Sequence, residues 1–254
     1  MSDRLNGTVA LVTGASSGIG AATALALAER GAAVALFARR TDRLEALAEK
    51  IRDAGRTALV LAGDVADEAQ AREAVERTVI ELGRLDTLIN NAGVMLLGPA
   101  VGAPLEEWRR MVEVNLLGLL YCAHAALPYL LRAAGDDPRH VADLVNVSSV
   151  AGRVARRGSG VYNATKHGVG AFSEALRQEV TGRHVRVSLV EPGAVETELA
   201  GHNRPEILEG IEQRFASMEP LRADDIADVI GYIVTRPRHM AINELLVRPT
   251  EQEA

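Results

Sequence analysis

Tyr162 and Lys166 stand four residues apart in SGVYNATKHG. On a helix that spacing puts both side chains on one face, with Cβ atoms about 5–6 Å apart. A free phenol has a pKa of about 10 and is a poor acid or base near neutrality; lowering it by about three pH units takes roughly 4 kcal/mol. One ammonium about 4 Å away supplies that order of energy at an effective dielectric near ~20. The pair is therefore expected to make Tyr162 a general acid toward a carbonyl or a base toward an alcohol. Ser149, in NVSSVAG, can hydrogen-bond the same substrate oxygen, and Asn115, polar within EVNLLGLL, can hold a water that links Lys166 to solvent. Each feature also has an ordinary reading, because most Y-x-x-x-K pairs are surface neighbours and a lone interior Asn is usually a satisfied amide. Only their combination with a cofactor site makes the set specific.

TGASSGIG, residues 13–20, provides the candidate for that site. Gly14-Ala15-Ser16-Ser17-Gly18 fits the G-x-S-x-G elbow of a nucleophilic serine, but an elbow needs an oxyanion loop from an earlier strand and helix. Here only a short polar tail and the first strand precede it. The other reading is a phosphate cradle. Gly14, Gly18 and Gly20 allow a tight turn and close backbone approach, and a helix opening at Ile19 turns free N–H groups and a partial positive charge toward a pyrophosphate. Ser16 and Ser17 can add hydroxyl donors. The second strand then ends in GAAVALFARR, where such folds place an acid for a ribose 2′-hydroxyl. This chain has Arg39 and Arg40 instead. A guanidinium can take a 2′-phosphate bidentately, so the sequence favours NADP(H) over NAD(H); two solvated arginines are the plain alternative.

These residues need a frame. Short apolar runs at residues 9–12, 33–37, 57–62, 86–90, 143–147, 185–190 and 244–247 read as strands, and the stretches between them as helices. Gly31 and Gly55 stand where helix-ending glycines belong. Continuous apolar strands separated by helices imply a parallel sheet covered on both faces: one α/β, doubly wound, Rossmann-like domain of about seven strands over residues 1–254. Asp64-Val65 ends the third strand and Asn90-Asn91-Ala92-Gly93 the fourth, at the sheet edge where ligands sit. The segment at about 197–217 is expected to form a lid. GDDPRH, residues 135–140, reads as a polar surface turn.

Composition narrows the function classes. Across 254 residues the net charge is −6 with no block of like charges, which disfavours nucleic acid as a partner. Cys122 is the only cysteine, so no internal disulfide and no multi-cysteine zinc site is possible. His167 and His202 lack partners at metal-ligand spacing, and no metal is assigned. Residues 114–131 lack Asp, Glu, Lys and Arg but are interrupted by Asn115, His124 and Pro128, and read as a core or subunit-contact helix rather than a membrane span. No signal-type segment is seen, and a cytoplasmic protein is expected.

Taken together, TGASSGIG, Asp64-Val65, NNAG, the Asn of VNLLG, Ser149, YNATK and the turn Glu191–Gly193 resemble the short-chain dehydrogenases/reductases, over essentially the whole chain. The resemblance implies hydride transfer to or from a nicotinamide and a tetrad of Asn115, Ser149, Tyr162 and Lys166, with the spacing to Tyr162 selecting Ser149 over Ser148. It implies that Asn91 packs near the cofactor, that Lys166 also holds the nicotinamide ribose, and that Pro192, Gly193, Val195 and Thr197 lie by the nicotinamide amide. An arginine at the Arg39 position marks NADP-preferring members, although Ser17 stands where some of them carry a basic residue. Within the family the chain is similar to clavulanate-type and NADP-dependent 3-hydroxy acid dehydrogenases, which suggests a small carboxylated carbonyl substrate drawn by Arg153, Arg156 or Arg157. Met95, Leu96, Leu97 and Val154 are candidates for an apolar pocket. Homotetramers or homodimers through the helices carrying Asn115 and Tyr162 are expected. The competing readings are a non-catalytic NADP(H)-binding sensor, and a cofactor-independent lyase or dehalogenase on the same fold.

Overall fold

A computed structural model describes residues 4–136, 138–215 and 218–253. Its centre is one sheet of seven parallel strands in the order β3-β2-β1-β4-β5-β6-β7. They are β1 (Val9–Thr13), β2 (Ala33–Ala38), β3 (Ala58–Ala62), β4 (Thr87–Asn90), β5 (Ala142–Val147), β6 (Val185–Pro192) and β7 (Glu244–Val247). β1, β4, β5 and β6 are buried at every position, as strands of a sheet covered on both faces must be, and the polar residues among them are buried with the rest. Each strand begins and ends within two residues of its sequence expectation.

On one face lie α1 (Gly18–Glu29), α2 (Thr41–Asp53) and α8 (Ala223–Val234), around a core of Leu27, Leu36, Leu44, Ile89 and Ile230. Small residues along α1, including Ala24 and Ala28, allow α8 to pack closely on it. On the other face lie α3 (Glu68–Leu82), α4 (Leu105–Val112), α5 (Gly118–Ala133) and α6 (Gly160–Val180), over Leu11, Leu88, Leu144 and Val187. Asp67 caps α3 by accepting the Gln70 N–H, and Gly31 and Gly55 lie just beyond α1 and α2 with φ of 100° and 73°. Asp137, inside the expected surface turn, lies outside the described residues.

The stretch between the fourth and fifth strands is helical, as expected, with one local departure from α geometry. α4 and α5 are joined by a π-helical turn, Glu113–Leu117, so the wider coil rotates Asn115 inward. Among the described residues the continuous stretch Leu105–Ala133 is the one helix long and apolar enough to cross a membrane. Here it lies against the sheet, with Leu119, Cys122, Ala123, Ala126 and Leu130 buried. It is a core helix.

The strand order reverses between β1 and β4, and the two strand ends diverge there at their carboxyl edge. The opposite edge of the sheet is held by charge. Asp143, fully buried in β5, accepts Arg186 Nε and Nη2 at 2.7 and 3.0 Å and Arg139 Nη1 at 3.0 Å. Arg186 spends its remaining donors on the carbonyls of Val234, Arg236, Pro237 and Met240, tying the end of α8 to the sheet. Removing one partner of a buried pair leaves the other charge uncompensated, which costs about 3–5 kcal/mol. Asp143→Asn is therefore expected to lower unfolding stability by about that amount in urea titration, without altering the ligand edge of the sheet.

Candidate active site

The first turn after β1 folds over the end of β4. Gly14 has φ 67°, and a Cβ there would stand 2.8 Å from Ala92 Cα, so only glycine lets the turn cross so near. Gly20 lies behind it: its Cβ would meet Gly14 O at 2.3 Å. Asn91 locks the crossing through Nδ2 to Thr13 O at 3.0 Å, while Thr13 Oγ1 accepts the N–H groups of Asn91 and Ala92. α1 starts at this point with Ser17 extended and no side chain capping its first N–H groups, which leaves them directed at the cavity. Ser16 and Ser17 use their hydroxyls to accept from Arg40. Among the described residues the Ser16 hydroxyl is bonded to Arg40 and to no histidine or carboxylate, so the geometry is that of a cradle.

The cavity over this edge measures about 600 Å³. Of the residues expected to hold a cofactor, Gly14, Ser16, Ser17, Gly18, Ile19, Arg39, Arg40, Asp64, Val65, Asn91, Ala92, Gly93, Tyr162, Lys166, Pro192, Gly193, Val195 and Thr197 line it; Gly20 supports the turn from behind. An uncapped helix start, a turn that admits no Cβ and a guanidinium at the β2 end are the features that a phosphorylated dinucleotide requires.

Ser149 follows β5, fixed by accepting the Ala151 N–H at 3.1 Å. Ser148 and Ser149 both line the cavity, and the Ser148 hydroxyl is engaged in donating to Lys166 O at 3.2 Å. Tyr162 and Ser149 both line the cavity, with the serine hydroxyl near enough to act on the phenol. Lys166 lies one turn on, its Nζ donating to Val147 O at 3.0 Å and 5.8 Å from the centre of the Tyr162 ring. The expectation of a phenol acidified by its lysine is not met in this state. Burial, at 6 % exposure, pushes Tyr162 up to about 12, against a smaller downward effect of the Ser149 hydroxyl, and burial brings Lys166 down to about 8. The ammonium donates to the Val147 carbonyl, and burial is the larger effect on the phenol.

Asn115 stands behind the cavity wall. Its Oδ1 accepts Val94 N–H at 2.8 Å, and its Nδ2 donates to Val94 O at 2.9 Å and Thr165 Oγ1 at 3.3 Å. Both ends of the amide have protein partners, so Asn115 clamps the segment after β4 rather than presenting a free donor. A Cβ on Gly93 would come within 3.4 Å of Asn115 Oδ1 and 3.9 Å of Lys166 Nζ, so the three residues adjoin.

The substrate end mixes fulfilled and failed expectations. Met95, Leu97 and Val154 line the cavity, whereas Leu96 packs into the core. Arg153 does not face a substrate: it pairs with the buried Glu191 through Nε at 2.7 and 2.9 Å and reaches Glu244 on β7. Arg156 lines the cavity, while Arg157 is exposed outside it. The expected lid resolves into a short helical turn, Glu198–His202, followed by α7 (Pro205–Phe215); Ala216 and Ser217 lie outside the described residues. No cluster of three metal-ligand side chains occurs among the described residues.

Two asparagines escaped the sequence reading. Asn163 donates to Ala151 O and Val154 O and accepts Ser159 Oγ, shaping the loop that carries Ser149. Asn203 donates to Met95 O at 2.9 Å and accepts Leu97 N–H at 2.7 Å, fastening the lid to the wall after β4. A polar residue beside a catalytic motif was the only available signal for Asn163; nothing local marks Asn203.

A glycine cradle at a strand-order reversal, with a serine, tyrosine and lysine on the neighbouring wall, defines a nucleotide-dependent α/β oxidoreductase class. The short chain dehydrogenase profile matches residues 8–207, and the chain belongs to that family. It is 41% identical over 250 residues to glycine betaine reductase ATRR of Emericella nidulans, covering 98% of this chain but only 19% of that protein's length. It is 36% identical over 249 residues to serine 3-dehydrogenase of Rhizobium radiobacter, covering 98% of this chain and 96% of that one. The structure of a closed form of serine dehydrogenase complexed with NADP+ is similar with a TM-score of 0.88 at 30% identity, over 97% of both chains.

Proposed function

We propose that this chain is an NADP(H)-dependent oxidoreductase that interconverts a carbonyl compound and an alcohol, with Asn115, Ser149, Tyr162 and Lys166 as its working group. The observation that carries the reading is that Ser149, Tyr162 and Lys166, one helical turn beyond Tyr162, line the same cavity as the cradle. In the reducing direction Ser149 Oγ and Tyr162 Oη hold the carbonyl oxygen, and Tyr162 Oη passes its proton to it. When bound, the nicotinamide supplies the hydride taken by the carbonyl carbon and is itself oxidised. Lys166 stabilises the phenolate left behind, and Asn115 keeps the wall beneath Lys166 in place through Val94. Arg39 and Arg40 at the end of β2 supply the charge for a 2′-phosphate, and the bound cofactor of the solved serine dehydrogenase supports NADP(H) as the cofactor.

The substrate is a small molecule bearing a carboxylate, with Arg156 as its anchor, because Arg156 alone of the three loop arginines lines the cavity. We read the chain as a single cytoplasmic domain with its lid at about 197–217, forming a homodimer or homotetramer through α5 and α6. The test is consumption of NADPH, followed by its near-ultraviolet absorbance, with a panel of aldehydes and ketones with and without a carboxylate. Turnover is expected for carboxylated members, and Arg156→Ala should raise KM for them about tenfold while leaving uncharged carbonyl compounds unaffected. An unchanged KM for the carboxylated substrates would remove Arg156 from the account.

A further inference from the structure

The adenosine end of the cavity holds an anion of the protein's own. Glu198 opens the short turn that leads into α7, and its carboxylate is held between two guanidinia: Oε2 accepts Arg40 Nη1 at 2.8 Å, and Oε1 accepts Arg43 Nη1. Arg40 simultaneously donates Nε and Nη2 to Ser16 Oγ at 3.1 and 3.0 Å, and Nη2 to Ser17 Oγ at 2.7 Å. Thus the arginine that bridges the β2 end to the glycine turn has its outward donor covered by a lid carboxylate. Arg39, by contrast, is largely exposed and stands 3.8 Å from Asp64. The two arginines hold the Glu198 carboxyl down at about 2, so it is charged throughout the working range.

We infer that Glu198 stands in for the cofactor's 2′-phosphate: a phosphorylated dinucleotide must displace it from Arg40 and Arg43, and in doing so loosens the lid. The inference rests on the NADP(H) reading above. A phosphate monoester carries about −1.5 to −2 at neutral pH and three acceptor oxygens, so it competes for two guanidinia better than one carboxylate does. Once seated it repels the displaced Glu198. A ribose 2′-hydroxyl carries no charge and leaves the ion pairs standing. The consequence reaches both ends of the site. Thr197, next in the chain, stands 3.1 Å from the position of a Cβ on Gly18 at the start of α1, and Asn203, at the far end of the turn, holds the carbonyl of Met95 beside the substrate wall. Glu198 is therefore a determinant of cofactor affinity and a link between cofactor choice and lid position.

The test is calorimetric titration of wild type and Glu198→Gln with NADPH, NADH and adenosine 2′-monophosphate, the last isolating the subsite. Both ion pairs are about half exposed, so their competition is worth a modest factor. Glu198→Gln is expected to bind NADPH and adenosine 2′-monophosphate about five- to tenfold more tightly, with NADH changed less than twofold. In wild type, adenosine 2′-monophosphate should speed amide hydrogen exchange across residues 198–203, and adenosine 5′-monophosphate should not. Equal change for both dinucleotides, weaker NADPH binding, or slowed exchange in that segment overturns the inference while leaving the dinucleotide site intact. Failure of wild type to bind either dinucleotide overturns both.

Discussion

Tyr162→Phe is expected to bind NADPH as tightly as wild type while losing about a thousand-fold in kcat/KM for carbonyl reduction. The substitution removes one oxygen from a side chain that is only 6 % exposed and keeps the ring that packs between Ser149 and Lys166, so the cavity survives. In the proposed mechanism, what disappears is the hydroxyl that gives the carbonyl oxygen its proton, an effect usually worth about 10²–10⁴-fold. Because burial holds Tyr162 at about 12, the phenol is protonated at every ordinary pH. Reduction therefore starts with its proton in place. Oxidation of the alcohol needs the phenolate and should gain rate steadily as pH rises. Comparing single-turnover rates with binding titrations separates the two steps; a Phe variant that turns over at the wild-type rate would assign the proton elsewhere.

Lys166→Met carries the second large effect, in both activity and stability. Burial lowers Lys166 from 10.5 to about 8, so the folded chain releases this proton before the unfolded chain does. Between those values the unfolded state binds more protons, and wild-type stability rises with pH relative to the variant. At about 1.36 kcal/mol per pH unit, the interval is worth about 3 kcal/mol. Below about pH 8 the buried ammonium is a standing cost, and the methionine variant is expected to compare most favourably there. Its activity moves the other way: without the cation, reduction should fall by about 10²-fold or more, and in wild type it should decline as pH rises through about 8. Urea unfolding of both proteins at a series of pH values from neutral to mildly alkaline measures the linkage. A stability difference that does not change with pH would show that Lys166 titrates at its ordinary value.

These expectations draw on a fold that was largely visible in the chain. Strand runs such as VALV and AVALF are apolar at every position, and only a sheet covered on both faces buries them, so their number and parallel sense followed from composition. TGASSGIG was legible because its glycines answer to local backbone geometry, borne out at Gly14 and Gly20. What escaped depends on partners distant in sequence. VNLLG has the same composition whether it coils as an α- or a π-helix, so the turn that carries Asn115 inward leaves no mark. Arg153 looked available to a substrate because Glu191 and Glu244, which occupy it, lie on strands dozens of residues away. The resemblance pointed to Arg39; the contacts of Arg40 with Ser16, Ser17 and Glu198 emerge only once the turn, the strand end and the lid meet. The Tyr162–Lys166 spacing was read correctly as one helical face. The energetic expectation attached to it differs from the structure because spacing says nothing about burial, which pushes the phenol up.

The measurement that reaches the central claim most directly is isotopic. The purified chain is incubated with NADPH deuterated at the transferring position of the nicotinamide and a carbonyl substrate found in the panel, and the alcohol is analysed by mass and by proton resonance. One deuterium on the carbinol carbon, with its amount matched to the cofactor oxidised, is the predicted result. Product formed without deuterium, or no binding of the dinucleotide to the folded chain, would contradict it.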